Sequence, residues 1–211
     1  MKNLKKSDII AVVLCLAAII PGVIVYGRLP ERIVTNWGMD GQPSGYTPKA
    51  FAVFGIPIMS AVLFLICCIY ASRLKKKDQA DKLAPVLRLI FVPTLYLAQG
   101  TILLSALGKL KDIRSIVFVI LSVTMIVLGN YMPKIRKNWI VGIRTPHILS
   151  SDEIWDRTHR FGGVVITVCG LIALVTSLLG HYIASFVIVI SSVFIPIIYG
   201  EVIYSKSKGK D

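Results

Sequence analysis

The residues best suited to chemistry lie in a charged stretch, residues 141–163, that separates two long apolar runs. Its side chains with metal-binding chemistry are two histidines and three carboxylates: His147, His159, Asp152, Glu153 and Asp156. Their spacing matches no zinc motif such as H-E-x-x-H, and no cysteine lies nearby. We therefore predict no metal site and no cofactor, and we expect His159 to donate a hydrogen bond at the level of the lipid headgroups.

The sequence also lacks the patterns that common enzyme mechanisms require. It contains no G-x-S-x-G, no phosphate-binding glycine loop and no pair of carboxylates within an apolar run. The cysteines lie inside apolar runs, with neither disulfide nor zinc spacing: Cys15, Cys67, Cys68 and Cys169. We predict that the protein is not an enzyme.

The composition is typical of an integral membrane protein. Hydrophobic residues make up 55% of the chain and charged residues only 17%, against about 45–50% and about 25% in soluble domains. The net charge of +13 agrees with Lys- and Arg-rich cytoplasmic loops, and basic residues at Lys134, Arg136 and Lys137 are placed to meet anionic lipids. No basic stripe interleaved with aromatics stands outside the apolar runs, so we predict no direct nucleic-acid partner.

The apolar runs predict an all-α protein with six transmembrane helices. The first four spans are Ile9–Tyr26, Ala50–Ala71, Pro85–Leu107 and Ile113–Met132, and the first is read as an uncleaved helix. The segment Phe161–Gly200 contains 40 residues without a charge. A single helix of that length would reach about 60 Å, twice the hydrocarbon thickness, so it must fold back. The stretch "LLGHY", residues 178–182, is the predicted turn, and the sixth span ends near Tyr204.

The distribution of basic residues predicts that both termini are cytoplasmic. The N-terminus, residues 73–88, residues 134–160 and the C-terminal tail hold 18 of the 24 Lys and Arg residues. Residues 27–51 then form an outer loop, and the charged stretch at residues 141–163 is cytoplasmic. Arg88 and Glu201 fall near the cytoplasmic ends of their helices, where either snorkelling or a buried pair between them would accommodate both charges.

The outer loop is rich in turn-forming residues and carries aromatic side chains. Asp40-Gly41 and Ser44-Gly45 are turn dipeptides. The loop is either a connector that rests on the bilayer or a rigid recognition surface. The candidate outer recognition residues are Trp37, Asp40, Gly41, Gly45 and Tyr46.

The cytoplasmic stretch predicts a short amphipathic helix. Ser150 and Glu153 form a capping box, and the pairs Glu153–Arg157 and Asp156–Arg160 are spaced to interact along one face. Gly162 and Gly163 would act as a hinge into the fifth span. The helix either moves about this hinge to meet a partner or merely seals the bottom of the helix bundle.

Two motifs in these loops resemble a known family. The stretch "GNYMPKIRKNWIVGIRTPHILSSDEIWDRTHRFGG", residues 129–163, closely resembles the signature of the SdpI/YfhL family. The stretch "LPERIVTNWGMDGQPSGY" resembles a domain of unknown function, DUF1648, found at the start of many bacterial six-span proteins. The implied organisation is one membrane domain over residues 1–211, with a DUF1648-like region at 1–72, spans three and four at 85–132, the signature loop at 129–163 and a helical hairpin at 161–204.

The resemblance implies a multi-pass protein of the bacterial plasma membrane. The family's namesake is an immunity protein that protects the producing cell from a secreted peptide toxin and holds an autorepressor at the membrane. Asn36 and Ser44 stand where the family commonly has His and Asp, so no role of that histidine carries over. The candidate inner partner-binding residues that match the signature or form the adjoining hinge are Asn130, Lys134, Arg136, Asn138, Arg144, Thr145, Pro146, Trp155, His159, Arg160, Gly162 and Gly163.

Two alternatives to an immunity role remain open at the level of the sequence. A transporter of small molecules or peptides would use polar and helix-breaking residues within spans, namely Pro93, Gln99, Pro196 and Glu201. A paralogue could lack the immunity role and serve only as a structural or interaction subunit.

Overall fold

Helices carry most of the chain, and their order follows the apolar runs. The computed structural model describes residues 6–38, 40–72, 77–110, 112–138 and 142–208, and between residues 70 and 90 it describes the side chain of Arg88 alone. The α-helices are α1 Lys6–Ala17, α2 Ile19–Val25, α3 Ile56–Ser72, α4 Lys77–Ala106, α5 Arg114–Tyr131, α6 Asp152–Leu178 and α7 Tyr182–Lys208. Two strands, β1 Arg32–Trp37 and β2 Pro43–Pro48, form an antiparallel hairpin. Short 3₁₀ turns occupy Tyr26–Arg28, Met132–Lys134 and Ile148–Ser150, and a π-helical turn occupies Phe51–Gly55.

Within the described residues, five helical segments are long and apolar enough to cross a membrane. They are Lys6–Arg28, Phe51–Ile69, Arg114–Lys134, Asp152–Leu178 and Tyr182–Lys208. The remaining predicted span corresponds to Phe91–Ala106, a shorter apolar part of α4. The mostly helical membrane architecture is therefore confirmed, while the count of six and the cytoplasmic position of both termini stay predictions.

The uncharged segment folds back at the predicted position. Helix α6 ends at Leu178 and α7 begins at Tyr182. Gly180 adopts a φ of +80°, a left-handed conformation that glycine reaches without the steric cost of a Cβ atom. Its N–H donates to the carbonyl of Ser177, so the turn satisfies backbone groups left over at the end of α6.

Helices α5 and α6 approach each other at backbone distance. A Cβ atom added at Gly163 would lie 2.8 Å from the carbonyl oxygen of Gly129 and from the ring of Pro133. Two turns further on, a Cβ at Gly170 would lie 2.9 Å from the side chain of Ile126. Small residues allow such close packing between membrane helices, where dispersion rather than the hydrophobic effect drives association.

This packing contradicts the predicted short helix and its glycine hinge. Helix α6 is continuous from Asp152 to Leu178, and Gly162 and Gly163 are buried within it. The Gly162 face packs on Pro196 of α7, at 3.1 Å from an added Cβ, while the Gly163 face packs on α5. The glycines therefore make room for neighbouring helices, and the predicted amphipathic helix is the first part of the fifth span.

The predicted capping box is also wrong by one residue. Ser151 is the N-cap, with an extended backbone, and its hydroxyl accepts a hydrogen bond from the N–H of Glu153. The Ser150 hydroxyl instead donates to the carbonyl of His147. The predicted pair of Glu153 with Arg157 is confirmed at 3.3 Å.

The predicted alternative of an ion pair between Arg88 and Glu201 is wrong. Arg88 donates to Asp8, near the start of α1, at 3.2 Å, and this bond ties the first helix to α4. Glu201 contacts the loop before α6, as described below.

Candidate functional site

The predicted outer loop forms an antiparallel hairpin, Arg32–Pro48, called the outer hairpin below after its predicted side of the membrane. Arg32 pairs with Pro48 and Trp37 pairs with Pro43. The turn between the strands uses Gly41 at a φ of +79°, and the Asp40 carboxylate accepts a hydrogen bond from the N–H of Gln42. Asp40-Gly41 is thus a turn, as predicted. Ser44-Gly45 is part of β2 instead, opposite a bulge in β1.

The base of the outer hairpin is anchored in the protein core. Ile33 is buried against Leu29, Val53 and Leu103. The hydroxyl groups of Thr35 and Thr47 lie 2.7 Å apart across the strands. A side chain that enters the core fixes the register, since a slip of one residue would turn it to the other face.

Charged contacts fasten the chain on either side of the outer hairpin. Lys49 donates to Glu31 at 2.8 Å, and its ammonium group lies over the ring of Tyr26, 4.9 Å from the centroid. The hydrogen bond to Glu31 raises the pKa of Lys49 above its usual value. The chain is thus held at the base of the hairpin both before β1 and after β2, and this limits the movement of the exposed side chains of the hairpin.

The predicted outer recognition residues lie on this hairpin with unequal exposure. Tyr46 is 55% exposed, and Asp40 is also exposed. Trp37, Gly41 and Gly45 are half-buried. The structure therefore brings all five together on one small element, with Tyr46 as its most exposed aromatic group.

The tip of the outer hairpin contacts the start of α5 through Arg114. A Cβ atom added at Gly41 would lie 2.7 Å from Nε of Arg114. The guanidinium also binds Asp112 at 2.9 Å and stacks over the ring of Tyr182 at 4.7 Å. These hydrogen bonds from Arg114 lower the pKa of Asp112 below its usual value.

An open cleft of about 410 Å³ adjoins this cluster. Its lining residues are Arg114, Thr176, Gly180, His181, Tyr182, Ile183 and Ala184. Arg114 and Tyr182 could not be assigned to this surface from the sequence, because no local pattern links them to a loop so far away in the chain. The outer hairpin, the start of α5 and the turn before α7 thus form one outer surface.

On the other side of the molecule, Trp155 centres a buried cluster that we call the inner core: Ile135, Ile148, Ile154 and Trp155. The indole Nε1–H donates to the carbonyl of Ile135 at 2.8 Å. This bond ties the chain that follows α5 to the first turn of α6. The described residues of the inner loop, 132–138 and 142–151, are therefore tied to the first turn of α6.

His159 belongs to the same arrangement and is buried, and its depth in the membrane stays a prediction. Its ring stacks on Trp155 with 3.8 Å between centroids. Nδ1 lies 2.8 Å from the carbonyl of Trp155, and Nε2 lies 3.1 Å from the N–H of Ile143. A carbonyl can only accept and an N–H can only donate, so the ring is neutral with its proton on Nδ1. The residue before Ile143, Gly142, has a φ of +119°, and a Cβ atom added there would lie against Nε2 of this ring.

A second set of contacts joins the inner loop to the end of α7. The Thr145 hydroxyl donates to one carboxylate oxygen of Glu201 at 2.7 Å, and it accepts from the N–H of Ile148. Nδ1 of His147 lies 2.5 Å from the other oxygen of Glu201. The His147 ring also stacks on Tyr204 at 4.1 Å. Glu201 therefore holds two positions of the loop at once.

The twelve predicted inner residues differ in exposure, and most fall into a buried group or an exposed group. Five are buried: Asn138, Trp155, His159, Gly162 and Gly163. Thr145 is half-buried, and the exposed ones are Asn130, Lys134, Arg136, Arg144, Pro146 and Arg160. The first group holds the loop together, whereas the second presents four basic side chains on the inner surface.

His147 and His159 do not share a site. His159 is enclosed by the inner core, while His147 faces Glu201. Within the ranges described, no three His, Cys, Asp or Glu side chains come close enough to hold a metal ion. The composition of "NWIVGI", residues 138–143, predicts either a strand or a segment that lies flat at the membrane surface, and residues 139–141 of it lie outside the described residues.

Two family matches cover these two regions. Residues 134–200 match the SdpI/YfhL protein family, and residues 13–61 match the domain of unknown function DUF1648. The first match contains most of the inner loop, all of α6 and most of α7. The second contains the outer hairpin and parts of the spans on either side of it.

A curated relative is similar along most of the chain. The chain is 27% identical to "Immunity protein SdpI" of Bacillus subtilis (strain 168) over 186 residues, which is 88% of either chain. No solved structure matches. The resemblance read from the two loops is confirmed: this is a multi-pass plasma-membrane protein with an SdpI/YfhL family region at residues 134–200 and a DUF1648 region at residues 13–61.

Proposed function

We propose that the protein is a membrane immunity protein, which protects the cell that makes it from a secreted peptide toxin. The similarity to a protein named for immunity, over 88% of the chain, supports this proposal. The observation that carries it is the outer hairpin, a rigid element anchored by Ile33 that exposes the aromatic ring of Tyr46. A preorganised surface binds a flexible peptide with a smaller entropy cost than a mobile loop does.

We further propose that the inner surface holds a cytoplasmic repressor. Four basic residues that are exposed there, Lys134, Arg136, Arg144 and Arg160, are set on a loop fixed by the inner core. Fixed charges favour association with a partner of opposite charge. Anionic lipid headgroups would meet the same surface where it borders the membrane.

In this proposal α6 connects the two surfaces. Its first turns contain Trp155 of the inner core, and Thr176 near its other end lines the outer cleft. The helix is continuous, so toxin bound outside would reach the repressor site by a rigid movement of α6. A bend at Gly162 and Gly163 is not part of the proposal.

The first experiment measures survival. The protein is expressed in a sensitive strain that lacks its own immunity genes, the purified peptide toxin is added, and a membrane-potential dye is read alongside. We expect protection, with a loss of about thirtyfold in tolerated toxin for Tyr46→Ala, which corresponds to a binding hot spot of about 2 kcal/mol. Tyr46→Phe, which keeps the ring, is the matched control and should protect normally.

A second measurement separates the two surfaces. Arg144→Gln and Arg160→Gln should reduce capture of a repressor at the membrane while survival stays normal, whereas Tyr46→Ala should reduce both survival and the toxin-dependent part of the capture. If the unaltered protein inserts normally and gives no protection, the immunity proposal is wrong. If repressor capture is the same with and without toxin, the proposed signalling is wrong while immunity can still stand.

A further inference from the structure

The second span begins with a π-helical turn, and the sequence explains it. Over Phe51–Gly55 the backbone bonds span five residues, and the N–H of Ile56 donates to the carbonyl of Phe51. Pro57 follows directly. Its ring would clash with the carbonyl of Val53 in a regular α-helix, and it has no N–H to donate. A widened turn is one way for a helix to accommodate such a residue.

The same proline leaves one carbonyl group without its helical donor. In a π-helix each N–H donates to the carbonyl five residues earlier. The donor to the carbonyl of Ala52 would therefore be the N–H of residue 57, which proline lacks. Ala52 is fully buried. A buried backbone carbonyl without a hydrogen bond is costly, above all at a depth that water does not reach.

Gln99 of α4 supplies the missing donor. Its side-chain Nε2 donates to the carbonyl of Ala52 at 3.0 Å. The side chain is 2% exposed, and its Oε1 has no hydrogen-bond partner among the described residues. Burying a glutamine with an unpaired oxygen costs free energy. The hydrogen bond from Nε2 to the carbonyl of Ala52 is therefore the polar contact that accounts for a glutamine at this position.

The bond lies directly beneath the outer hairpin. Ala52 and Val53 pack against Leu29 and Ile33 of the hairpin base and against Leu103 of α4. On the other side, a Cβ atom added at Gly22 would lie 2.7 Å from Val53, so the turn has little room to shift. A change in the hydrogen-bond register of the π-helical turn would therefore displace Ala52 and Val53, against which the base of the outer hairpin packs.

We infer that Gln99 is a positioning residue for the outer hairpin: it replaces the donor that Pro57 removes and so fixes the π-helical turn. The biological meaning of this position rests on the proposed function, since it concerns the proposed recognition surface. The structural statement does not, and it is tested without toxin.

The test is a suppressor experiment read by hydrogen exchange of the full-length protein in lipid nanodiscs. The variants are Q99L, which removes the donor at similar volume, P57A, which restores an N–H at residue 57, and the double variant Q99L/P57A. We expect Q99L to raise amide exchange about tenfold over residues 32–37 and 51–56, because a buried carbonyl loses its partner. The double variant should return to within about threefold of P57A alone.

The comparison with P57A separates donation from mere packing. If the side chain at position 99 only filled space, a new N–H on another helix would not reverse the faster amide exchange of Q99L. Exchange in Q99L equal to that of the unaltered protein overturns the inference, and so does a double variant that exchanges as fast as Q99L. If Q99L yields no folded protein, recovery of folded protein in Q99L/P57A supports the inference and failure to recover it overturns the inference.

Discussion

If Gly162 and Gly163 of α6 serve close packing, alanine substitution should change the stability of the protein differently at the two positions. At Gly163 an added Cβ would lie 2.8 Å from the carbonyl oxygen of Gly129, a backbone atom that cannot move without shifting α5. At Gly162 it would lie 3.1 Å from Pro196 and 3.4 Å from two flexible side chains. We therefore expect Gly163→Ala to destabilise the protein and Gly162→Ala to be nearly neutral.

The magnitude follows from two opposing terms. Replacing glycine by alanine inside a helix stabilises it by about 0.5–1 kcal/mol, because the unfolded chain loses freedom. Overpacking a tight contact costs about 1–3 kcal/mol. Gly163→Ala should thus lose about 1–2 kcal/mol, or roughly 2–8 °C in melting temperature for a chain of this size.

Thermal unfolding in detergent, followed by near-ultraviolet circular dichroism, measures this difference. Gly100→Ala is the matched control, because no atom lies within 4 Å of its added Cβ, and its melting temperature should rise slightly. A flexible hinge would make Gly162→Ala and Gly163→Ala equivalent, with both variants stabilised. That result would refute the packing argument and restore the hinge.

Three further substitutions test the inner loop by the same unfolding measurement. Trp155→Phe should cost about 1–3 kcal/mol because the buried carbonyl of Ile135 loses its donor, and an unchanged melting temperature would contradict this role of the indole. Gly142→Ala should cost at least about 2 kcal/mol, since the residue has a positive φ and faces a ring; a neutral result would place the loop elsewhere. Alanine at His147, at Glu201 and at both should give a coupling of about 0.5–1 kcal/mol, and strict additivity would mean that their contact does not hold the loop.

Much of the membrane architecture could be predicted from the sequence because hydropathy records it directly. The turn at Gly180 follows from length alone, since 40 uncharged residues exceed one bilayer crossing. The turn at Asp40-Gly41 follows from residue preference. Strands β1 and β2 were not predicted, because their stability depends on Ile33 entering a core formed by distant helices.

The inner loop was harder to predict because its signals are ambiguous without tertiary contacts. Ser150 and Ser151 both precede acidic residues, and Ser151 caps α6 while the Ser150 hydroxyl donates to the carbonyl of His147. A glycine pair looks the same in sequence whether it bends or packs closely, and Gly129 decides that here. The place of His159 depends on a backbone N–H sixteen residues away, which no periodicity records.

The glycine contact also limits how a signal could cross this protein. Gly163 and Gly129 already touch through backbone atoms, so α5 and α6 cannot come closer together. Separation of α6 from α5 would open a cavity between the helices, and rotation of α6 would drive larger side chains into Gly129, so both are costly. A slide of less than one helical turn along α5 keeps the two helix surfaces in contact. A slide also displaces Trp155 and Thr176 together because they lie on one continuous helix. We therefore expect toxin-induced motion, where it occurs, to move the inner core and the outer cleft in the same direction along the helix axis.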